Sequence, residues 1–400
     1  MKEILYIANY PFPSNAAYAT RILNFCRIFN NLGYSCTVIS HKGNKAIDNN
    51  IKNENINIIS FAPYVSSFRV NIRNFMISKY ALANILEDYL ENHRPEVIIL
   101  GGGYSRLFRY VNSFGRKKKI PVIVEACEWY DWTQIALGPL SPMFWDNRLA
   151  LWYFYKKADA FIGISRYLQN YYNECGIFSL RVPTILDTKK YLFSTLNPND
   201  NRIVITYAGY PAKKKDFIDQ VIIALAKRRD LQRQIKLRII GPDIKKIVKL
   251  LGRNSSALKD AGSCVEILGK RNHNEINEYL INSDFTILLR PNKRYANAGF
   301  PTKVAESMAA GIPVISNLTG DIGLYLKDME NGIICNGYTA DDCIESLEKA
   351  VLLSKKELLT LKKNARKTAE NNFDYRVYIK ELSDLMHYLK NYNSKIHEKL

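Results

Sequence analysis

Short apolar runs alternate with segments of helical periodicity along most of the chain. The run ILYIANY predicts a first strand, and after a loop of Pro, Ser and Asn the residues Ile22, Phe25, Cys26 and Phe29 recur at helical spacing until Gly33. SCTVISH then begins another strand, so this region predicts a β-α-β unit. The runs PEVIILGGG, IPVIVEAC and ADAFIGIS are almost wholly apolar, as expected of strands in a parallel sheet with helices on both faces.

The periodicity lapses at residues 183–200, where polar residues and a proline predict a linker between domains. A second alternation follows, from RIVITYAGY through IKLRIIG, VEILG and DFTILLR to IPVISN. The pattern predicts two doubly wound α/β domains that face one another, with ligands at the carboxyl ends of the strands. Near the end of the chain, Asp374 predicts a helix N-cap, and an apolar stripe follows at Ile379, Leu382, Met386 and Leu389.

The composition agrees with this organisation. A length of 400 residues favours two domains, and a hydrophobic fraction of 47% excludes a disordered chain. The sequence has no apolar run of the roughly 18 to 20 residues that span a bilayer, and Pro11 interrupts the N-terminus before a signal sequence could form. Seven cysteines without a C-x-x-C pair argue against a disulfide framework and a zinc knuckle. We therefore expect a soluble cytoplasmic protein.

The formal net charge of +19 predicts a surface that attracts phosphate groups. Those phosphates could belong to nucleic acid, to an anionic membrane or to a nucleotide, and the charge alone does not choose among them. No known nucleic-acid recognition module accompanies the charge, so we expect no nucleic-acid partner. GGGYSR after EVIIL lacks the full G-x-G-x-x-G of dinucleotide oxidoreductases.

The stretch NAGFPTKVAESMAAGIPVISN, residues 297–317, predicts a flexible approach and then a short helix that begins near Pro301 and Thr302 and ends at Gly311. Backbone N–H groups at the start of this helix would bind phosphate. Glu306, about one turn further on, could accept hydrogen bonds from the two vicinal hydroxyls of a ribose. The alternative is a solvated glutamate that the helix dipole stabilises.

These residues resemble the donor-binding region of the retaining GT-B glycosyltransferases, family 4. The resemblance covers nearly the whole chain, since YAGYPAKKKDFIDQVIIAL, LRIIGPD, VEILGKRNHNEINEYLINSDF and GDIGLYLKDMENGIICN occur in the family's order. It implies two Rossmann-like domains that face a cleft. The first, residues 1–187 with about 373–400, would bind the acceptor, and the second, residues 188–372, would bind the nucleotide sugar. The C-terminal helix would cross back to the first domain.

The resemblance assigns Glu306 to the ribose of the donor, with Gly299, Phe300, Thr302 and Lys303 around the same site. The family has another glutamate eight positions earlier, which touches the donor sugar, and here that position is Ala298. The sugar would therefore be deoxygenated or substituted at that carbon, or Asn297 or Arg294 would supply the contact.

The resemblance also implies a pair of cations that clamps the diphosphate. The usual arginine after YAG is Tyr210 here, whereas Lys215 matches the family's lysine, with Lys213 and Lys214 beside it. Arg290 is the candidate for the missing guanidinium. Side chains of this kind stabilise the leaving group without Mg²⁺, and the sequence has no Asp-x-Asp motif, so we expect no metal. The alternative for the lysine run is a solvated patch.

In the first domain, the loop PFPSNAAYATR takes the place of the family's Gly-Gly loop, with Asn15 and Ala16 small enough to approach the donor and Arg21 on the following helix. A plain turn is the alternative. In VIVEACEWYDW, Cys127 lies about where relatives carry a histidine that faces the sugar. Glu128 is the candidate catalytic side chain there, and an acidic residue at the rim is the alternative.

Two segments, SFRVNIRNFMISKYALANIL and PMFWDNRLALWYFYKK, interleave apolar residues with Arg and Lys. Helices that lie on anionic lipid head groups have this pattern, but so does a core stripe with a solvated edge. An anionic membrane surface is therefore a candidate partner, at the inner face of the plasma membrane.

The resemblance implies a retaining, metal-independent glycosyltransferase that moves a sugar from a nucleotide-diphosphate sugar, with a UDP-sugar favoured. The acceptor would be a glycan or a lipid-linked oligosaccharide in bacterial surface polysaccharide synthesis. The alternative is a catalytically impaired GT-B protein that binds nucleotide or glycan without turnover, which Ala298 and Tyr210 support.

Overall fold

The computed structural model describes residues 2–43, 54–63, 82–103, 105–135, 137–194, 201–211 and 215–397. The chain divides into two compact units. One unit consists of Met1–Leu186 and Tyr375–Leu400, and the other of Asp187–Asp374.

The first unit contains a seven-stranded sheet in the order β3-β2-β1-β4-β5-β6-β7. Every pair of neighbouring strands is parallel, and in the central pair Ile4 of β1 lies opposite Val97 of β4. The strands are β1 Lys2–Phe12, β2 Tyr34–Lys42, β3 Ile56–Pro63, β4 Val97–Gly101, β5 Val122–Ala126, β6 Ala160–Gly163 and β7 Ser179–Arg181.

Helices connect these strands. They are α1 Ala17–Asn31, α2 with residues 82–92 as its described part, α3 Ser105–Lys118, α4 Pro142–Leu149 and α5 Arg166–Glu174. The connection from β5 to β6 consists of several short helical elements. Two 3₁₀ turns precede α4, at Trp132–Gln134 and Gly138–Leu140. A π turn at Ala150–Phe154 and a 3₁₀ turn at Tyr155–Lys157 follow it.

The C-terminal helix belongs to the first unit, as expected of a chain that crosses back to its first domain. This helix, α16 (Ile379–His397), follows a 3₁₀ turn at Tyr375–Tyr378. Its buried side chains join the core that β1, β2 and α1 form, and they are Leu382, Leu385, Met386 and Leu389. Three of them belong to the stripe predicted from the sequence.

Asp374, the predicted N-cap, directly precedes the 3₁₀ turn that leads into this helix. Its carboxylate accepts hydrogen bonds from the backbone N–H and the hydroxyl of Thr188, in the second unit where the chain enters it. Of the predicted linker, residues 195–200 lie outside the described part of the chain. Residues 182–186 are ordered by contacts in the first unit, because Asn24 donates a hydrogen bond to the carbonyl of Ile185.

The second unit contains a six-stranded parallel sheet in the order β10-β9-β8-β11-β12-β13. The strands are β8 Ile203–Ala208, β9 Ile235–Ile240, β10 Val265–Gly269, β11 Phe285–Leu288, β12 Val314–Asn317 and β13 Gly332–Cys335. The helices are α6 Ile218–Lys227, α7 Arg229–Gln234, α8 Ile244–Leu251, α9 Ala257–Ala261, α10 His273–Ile281, α11 Arg294–Ala298, α12 Thr302–Ala309, α13 Ile322–Tyr325, α14 Ala340–Leu352 and α15 Lys355–Asn372.

Local sequence signals explain several of these boundaries. Capping boxes begin α10 at Asn272, α14 at Thr339 and α15 at Ser354. Asn297 and Ala298, which the sequence placed in a flexible approach, instead end the short helix α11. No helix within the described ranges combines the length and the apolar character needed to cross a bilayer.

Candidate functional site

The strand order places a topological switch point at the carboxyl ends of β8 and β11. These strands are neighbours at the centre of the second sheet, and their connections lead to opposite sides of it. Parallel α/β sheets bind ligands at this kind of switch point. The loop after β8 carries Lys215 and Asp216, and the loop after β11 carries Arg290. The strand order therefore brings these side chains to one edge of the sheet.

Asp216 joins two cations at this edge. Its Oδ1 lies 3.1 Å from Nε of Arg290, and its Oδ2 lies 2.8 Å from Nζ of Lys303. The hydroxyl of Tyr207 donates to the same Oδ2 at 2.9 Å. The ammonium of Lys303 also lies 4.3 Å from the centre of the Tyr207 ring. One buried carboxylate thus orders a guanidinium, an ammonium and a phenol.

The charges in this cluster perturb one another. Burial raises the pKa of the Asp216 carboxyl, but Lys303 and Arg290 outweigh it and hold the pKa below its usual value. Burial lowers the pKa of Lys303; Asp216 opposes this shift, whereas the charges of Arg290 and Lys215 add to it. Lys215 therefore lies within electrostatic reach of Lys303. Two cations share the Asp216 carboxylate and a third, Lys215, lies near them, and the excess positive charge suits a diphosphate.

Two glycines allow the close approach of these elements. Gly209 has φ +149°, and a Cβ there would lie 2.3 Å from Nζ of Lys303. Gly241 has φ +118°, and a Cβ there would lie 2.3 Å from the carbonyl oxygen of Gly209. A side chain at position 209 would displace the ammonium of Lys303, and one at position 241 would clash with the backbone of Gly209 at the end of β8.

The loop after β11 is held in place by one amide side chain. The backbone N–H of Arg290 donates to Oδ1 of Asn317 at 2.8 Å, and Nδ2 of Asn317 donates to the Arg290 carbonyl at 2.7 Å. Asn317 lies at the end of β12 and is buried. The position of Arg290 is therefore fixed by the neighbouring strand.

Glu306 lies one turn along α12 from Lys303. Burial raises the pKa of Glu306 to about 7, although the positive charge of Lys303 opposes the shift. Burial, and then the negative charge of Glu306, raise the pKa of Tyr191. The Tyr191 phenol therefore lies near the Glu306 carboxyl. A desolvated carboxylate at this place can accept hydrogen bonds from ligand hydroxyls.

The start of α12 differs from the sequence expectation in one side chain. Pro301 occupies the N-cap and makes no side-chain hydrogen bond to the helix, and Thr302 is the first helical residue. Gly299 has extended backbone angles. Phe300 was predicted to touch the ligand, but its ring packs 5.4 Å from both Tyr325 and Phe373. Phe300 can therefore contribute to a ligand site only through its backbone.

The position of the absent glutamate lies inside the protein. Ala298 is fully buried. Of the two proposed substitutes, Asn297 donates to Asn292 at 2.8 Å and accepts from the backbone N–H of Gly320 at 2.9 Å. This amide therefore already joins two loops, whereas Arg294 is exposed at the start of α11.

The basic loop after β8 is described only in part. Lys213 and Lys214 lie outside the described residues. Lys215 is partly exposed, and Tyr210, at the position of the family's arginine, is 65% exposed. Asp216 was not among the predicted site residues, since KKKD in the sequence is typical of a solvated, charged turn. The sequence did hold one signal for Asp216. Arg290 and Lys303 were predicted at one site, and cations that are buried together need an anion between them.

In the first unit, Asn15 and Ala16 lie between β1 and α1, at the switch point with β4. Asn15 is exposed, and Ala16 is the N-cap of α1 without a side-chain hydrogen bond. Arg21, expected near this loop, is 5% exposed and instead forms a 2.7 Å ion pair with Glu125. Its terminal nitrogens donate to the carbonyls of Val182 and Pro183. Arg21 therefore stabilises the fold and is unavailable to a ligand.

Glu128 lies just beyond β5 and is exposed. Its carboxylate is a hydrogen-bond partner of Tyr130, and the pKa of Tyr130 is raised first by Tyr10 and by burial and then by Glu128. Cys127, at the place of the family's histidine, donates from Sγ to Glu125 at 3.0 Å, and burial raises its pKa. The thiol is thus part of the buried Arg21–Glu125 cluster.

Among the described residues, no group of three or more His, Cys, Asp and Glu side chains could hold a metal ion. The candidate site of the second unit is cationic, as a site for phosphate groups requires.

Residues 187–368 match the model of the family Glycosyl transferases group 1. No curated protein matches the sequence significantly. Among solved structures, that of Anabaena Alr3699/HepE in complex with UDP-glucose has a TM-score of 0.67 at 14% identity, and the likeness covers 97% of this chain and 100% of that one.

Sucrose-phosphate synthase from Thermosynechococcus elongatus gives a TM-score of 0.71 at 15% identity, over 98% of this chain and 100% of that one. The lipopolysaccharide outer core galactosyltransferase WaaB, in its apo form, gives 0.63 at 17% identity over 100% of both chains. The chain therefore has the two-domain fold of the GT-B glycosyltransferases, as the sequence predicted.

Proposed function

We propose, from the match of residues 187–368 to the model of the glycosyl transferases group 1 family, that the protein is a retaining glycosyltransferase. The donor is a nucleotide-diphosphate sugar, and a UDP-sugar is favoured because the similar Anabaena protein binds UDP-glucose. The acceptor is a glycan or a lipid-linked saccharide in the synthesis of a bacterial surface polysaccharide.

The observation that carries the proposal is the pairing of Arg290 and Lys303 with Asp216 at the β8/β11 switch point, with the charge of Lys215 near Lys303. A nucleoside diphosphate that leaves a sugar gains negative charge on its β-phosphate. Cations that are already in place stabilise that charge without reorganisation. This cluster would take the role that Mg²⁺ has in metal-dependent transferases.

In the proposed reaction, the bond between the anomeric carbon and the β-phosphate oxygen breaks, and the acceptor hydroxyl oxygen forms the new bond on the same face. The hydroxyl proton passes to the departing phosphate, which serves as the base. Glu128 is the candidate side chain of the first unit that assists at the acceptor. The products are the glycosylated acceptor and the nucleoside diphosphate.

Glu306 would accept hydrogen bonds from the ribose hydroxyls while the phosphates lie near the start of α12. The backbone of Gly299 to Lys303 would contribute N–H groups there. A lipid-linked acceptor would place the enzyme at the inner face of the plasma membrane.

Two departures from the family pattern favour a second function. Ala298 is fully buried where the family has a sugar-contacting glutamate, and Tyr210 replaces the family's arginine. A protein that binds nucleotide or glycan without turnover would tolerate both changes.

The test is a panel of nucleotides and nucleotide sugars without added metal, measured first by thermal stabilisation, since a ligand of the folded state raises the melting temperature. Release of the nucleoside diphosphate is then followed with the best-stabilising sugar, and NMR of the product gives the anomeric configuration. Stabilisation with slow hydrolysis or transfer supports the enzyme. Stabilisation without any turnover supports the binding protein. No stabilisation by any nucleotide contradicts the enzyme and leaves only a protein that binds glycan.

A further inference from the structure

The connection between β5 and β6 exposes an unusual number of large apolar side chains. The described residues include eighteen large hydrophobic side chains that are exposed, and seven of them lie within residues 132–153. They are Trp132, Leu137, Leu140, Trp145, Leu149, Trp152 and Tyr153. Three of the four tryptophans of the chain are among them. Tryptophan is normally well buried. A surface with this composition is therefore typical of one that an apolar partner covers.

Four of these side chains form a stripe. The four residues lie at intervals of four, three and one along a continuous helical segment, which places them on one face of it. They are Trp145, Leu149, Trp152 and Tyr153. The opposite face is anchored in the first unit. Phe144, Leu151 and Tyr155 are buried, and the phenol of Tyr155 donates to the carbonyl of Gly103 at 2.7 Å. The segment is therefore held by one face and presents the other to solvent.

Basic residues accompany the apolar stripe. Residues 132–157 contain Arg148, Lys156 and Lys157 and a single acid, Asp146. The guanidinium of Arg148 lies 4.6 Å from the Trp152 ring, and the ammonium of Lys157 lies 4.0 Å from the Tyr153 ring. Asp146 is occupied, because it accepts a 2.8 Å hydrogen bond from the backbone N–H of Ser105 at the start of α3.

The neighbouring helix α3 adds more positive charge. Residues 105–119 contain six basic residues and no acidic one, and all six are exposed: Arg106, Arg109, Arg116, Lys117, Lys118 and Lys119. The guanidinium of Arg109 lies 5.4 Å from the ring of Phe154, so the basic helix and the apolar segment are adjacent. Together they form an apolar surface bordered by cations.

We propose that residues 132–135 and 137–157, with the basic residues of α3, form a surface that docks on a bilayer of anionic lipids. Such a bilayer offers the two chemistries that this surface needs, since the boundary between head groups and acyl chains takes Trp and Leu side chains while the head groups take Arg and Lys. A second copy of this chain would cover the stripe but would bring equal positive charges together. The proposal concerns this surface alone and does not depend on the transfer reaction.

The test uses the full chain and vesicles of phosphatidylcholine, alone or mixed with phosphatidylglycerol. Binding is measured by co-sedimentation and by tryptophan fluorescence, and three exposed tryptophans should shift to shorter wavelength when they enter the interface. We expect binding to the mixed vesicles that weakens with salt, and weaker binding to phosphatidylcholine alone. No binding to the mixed vesicles at low salt would overturn the proposal.

The variant Leu149→Ser with Trp152→Ser removes apolar side chains whose outer faces are already in water, so folding should be retained. We expect its affinity for mixed vesicles to fall about tenfold or more. Leu352→Ser is the matched control, since Leu352 is 82% exposed on α14 of the other unit, and it should bind as the wild type does. Equal losses in both variants, or none in either, would assign binding to another surface. A concentration-dependent dimer that the double variant abolishes, without lipid binding, would point to a second copy instead.

Discussion

The ammonium of Lys303 lies 2.8 Å from the carboxylate of Asp216, which also holds Arg290 at 3.1 Å. These residues come from three segments of the second unit: the loop after β8, the loop after β11 and the first turn of α12. The pair therefore fixes the relative positions of the groups that we assign to the diphosphate. Asp216 lies next to Lys215 in the chain but has a different role. It pairs with the cations Arg290 and Lys303, whereas Lys215 is proposed to bind the phosphate.

Replacing the carboxylate of Asp216 tests how much it contributes to the stability of the fold. Asp216→Asn removes the negative charge from between Arg290 and Lys303 and should lower the free energy of unfolding by about 2 kcal/mol. The figure is below the loss for a fully buried pair because Lys303 is about one-third exposed. Denaturant unfolding measures it. Asp243→Asn, at an exposed N-cap of α8, is the control for loss of one carboxylate, and an equal or larger loss there would contradict a special role for Asp216.

Lys215 tests the proposed clamp. Lys215→Ala should weaken the binding of a nucleoside diphosphate about tenfold to a hundredfold, because it removes a charged partner of the phosphate, and should leave the protein folded. Lys245→Ala, an exposed lysine on α8, controls for net charge. Isothermal titration gives both affinities. If the two variants bind equally well, the phosphates lie elsewhere.

The sequence predicted the sheets and α12 well because apolar runs and turn residues are local signals. It could not identify Asp216 or the role of Arg21, since each depends on partners far along the chain: Arg21 meets Glu125 across 104 positions and Asp216 meets Lys303 across 87. Nor could it distinguish the buried Phe300 from the exposed Trp152, because both stand in apolar, aromatic stretches and only packing decides which faces the core.

Lys362 provides a prediction about pH and stability. This lysine of α15 is fully buried and donates to the hydroxyl of Ser194 at 2.9 Å and to the carbonyl of Ser283 at 2.7 Å. Burial lowers its pKa to about 8, against the pull of Asp284. Between pH 8 and 10.5 the unfolded chain binds this proton more fully than the folded protein, so the contribution of Lys362 to stability rises with pH.

The measurement compares wild type with Lys362→Met, since tyrosines and cysteines titrate in the same range and cancel in the difference. The stability of wild type relative to the variant should rise by roughly 3 kcal/mol from pH 8 to 10.5. A difference that stays constant with pH would show that the ammonium keeps its ordinary pKa.

Glu306 makes nucleotide binding depend on pH. Its pKa of about 7 leaves much of the free protein protonated below neutrality, whereas ribose hydroxyls need a carboxylate as acceptor. Binding should therefore expel the proton, and affinity should rise as the pH increases from about 5.5 to 8, by roughly tenfold. The ligand should be the UDP-sugar that stabilises the protein most, because its two phosphates each carry only a strongly acidic proton and do not titrate in this range. Glu306→Gln, which keeps the size and loses the titration, should bind more weakly at pH 8 and with an affinity that is nearly constant with pH. A wild-type affinity that is equally constant would place Glu306 outside the nucleotide site.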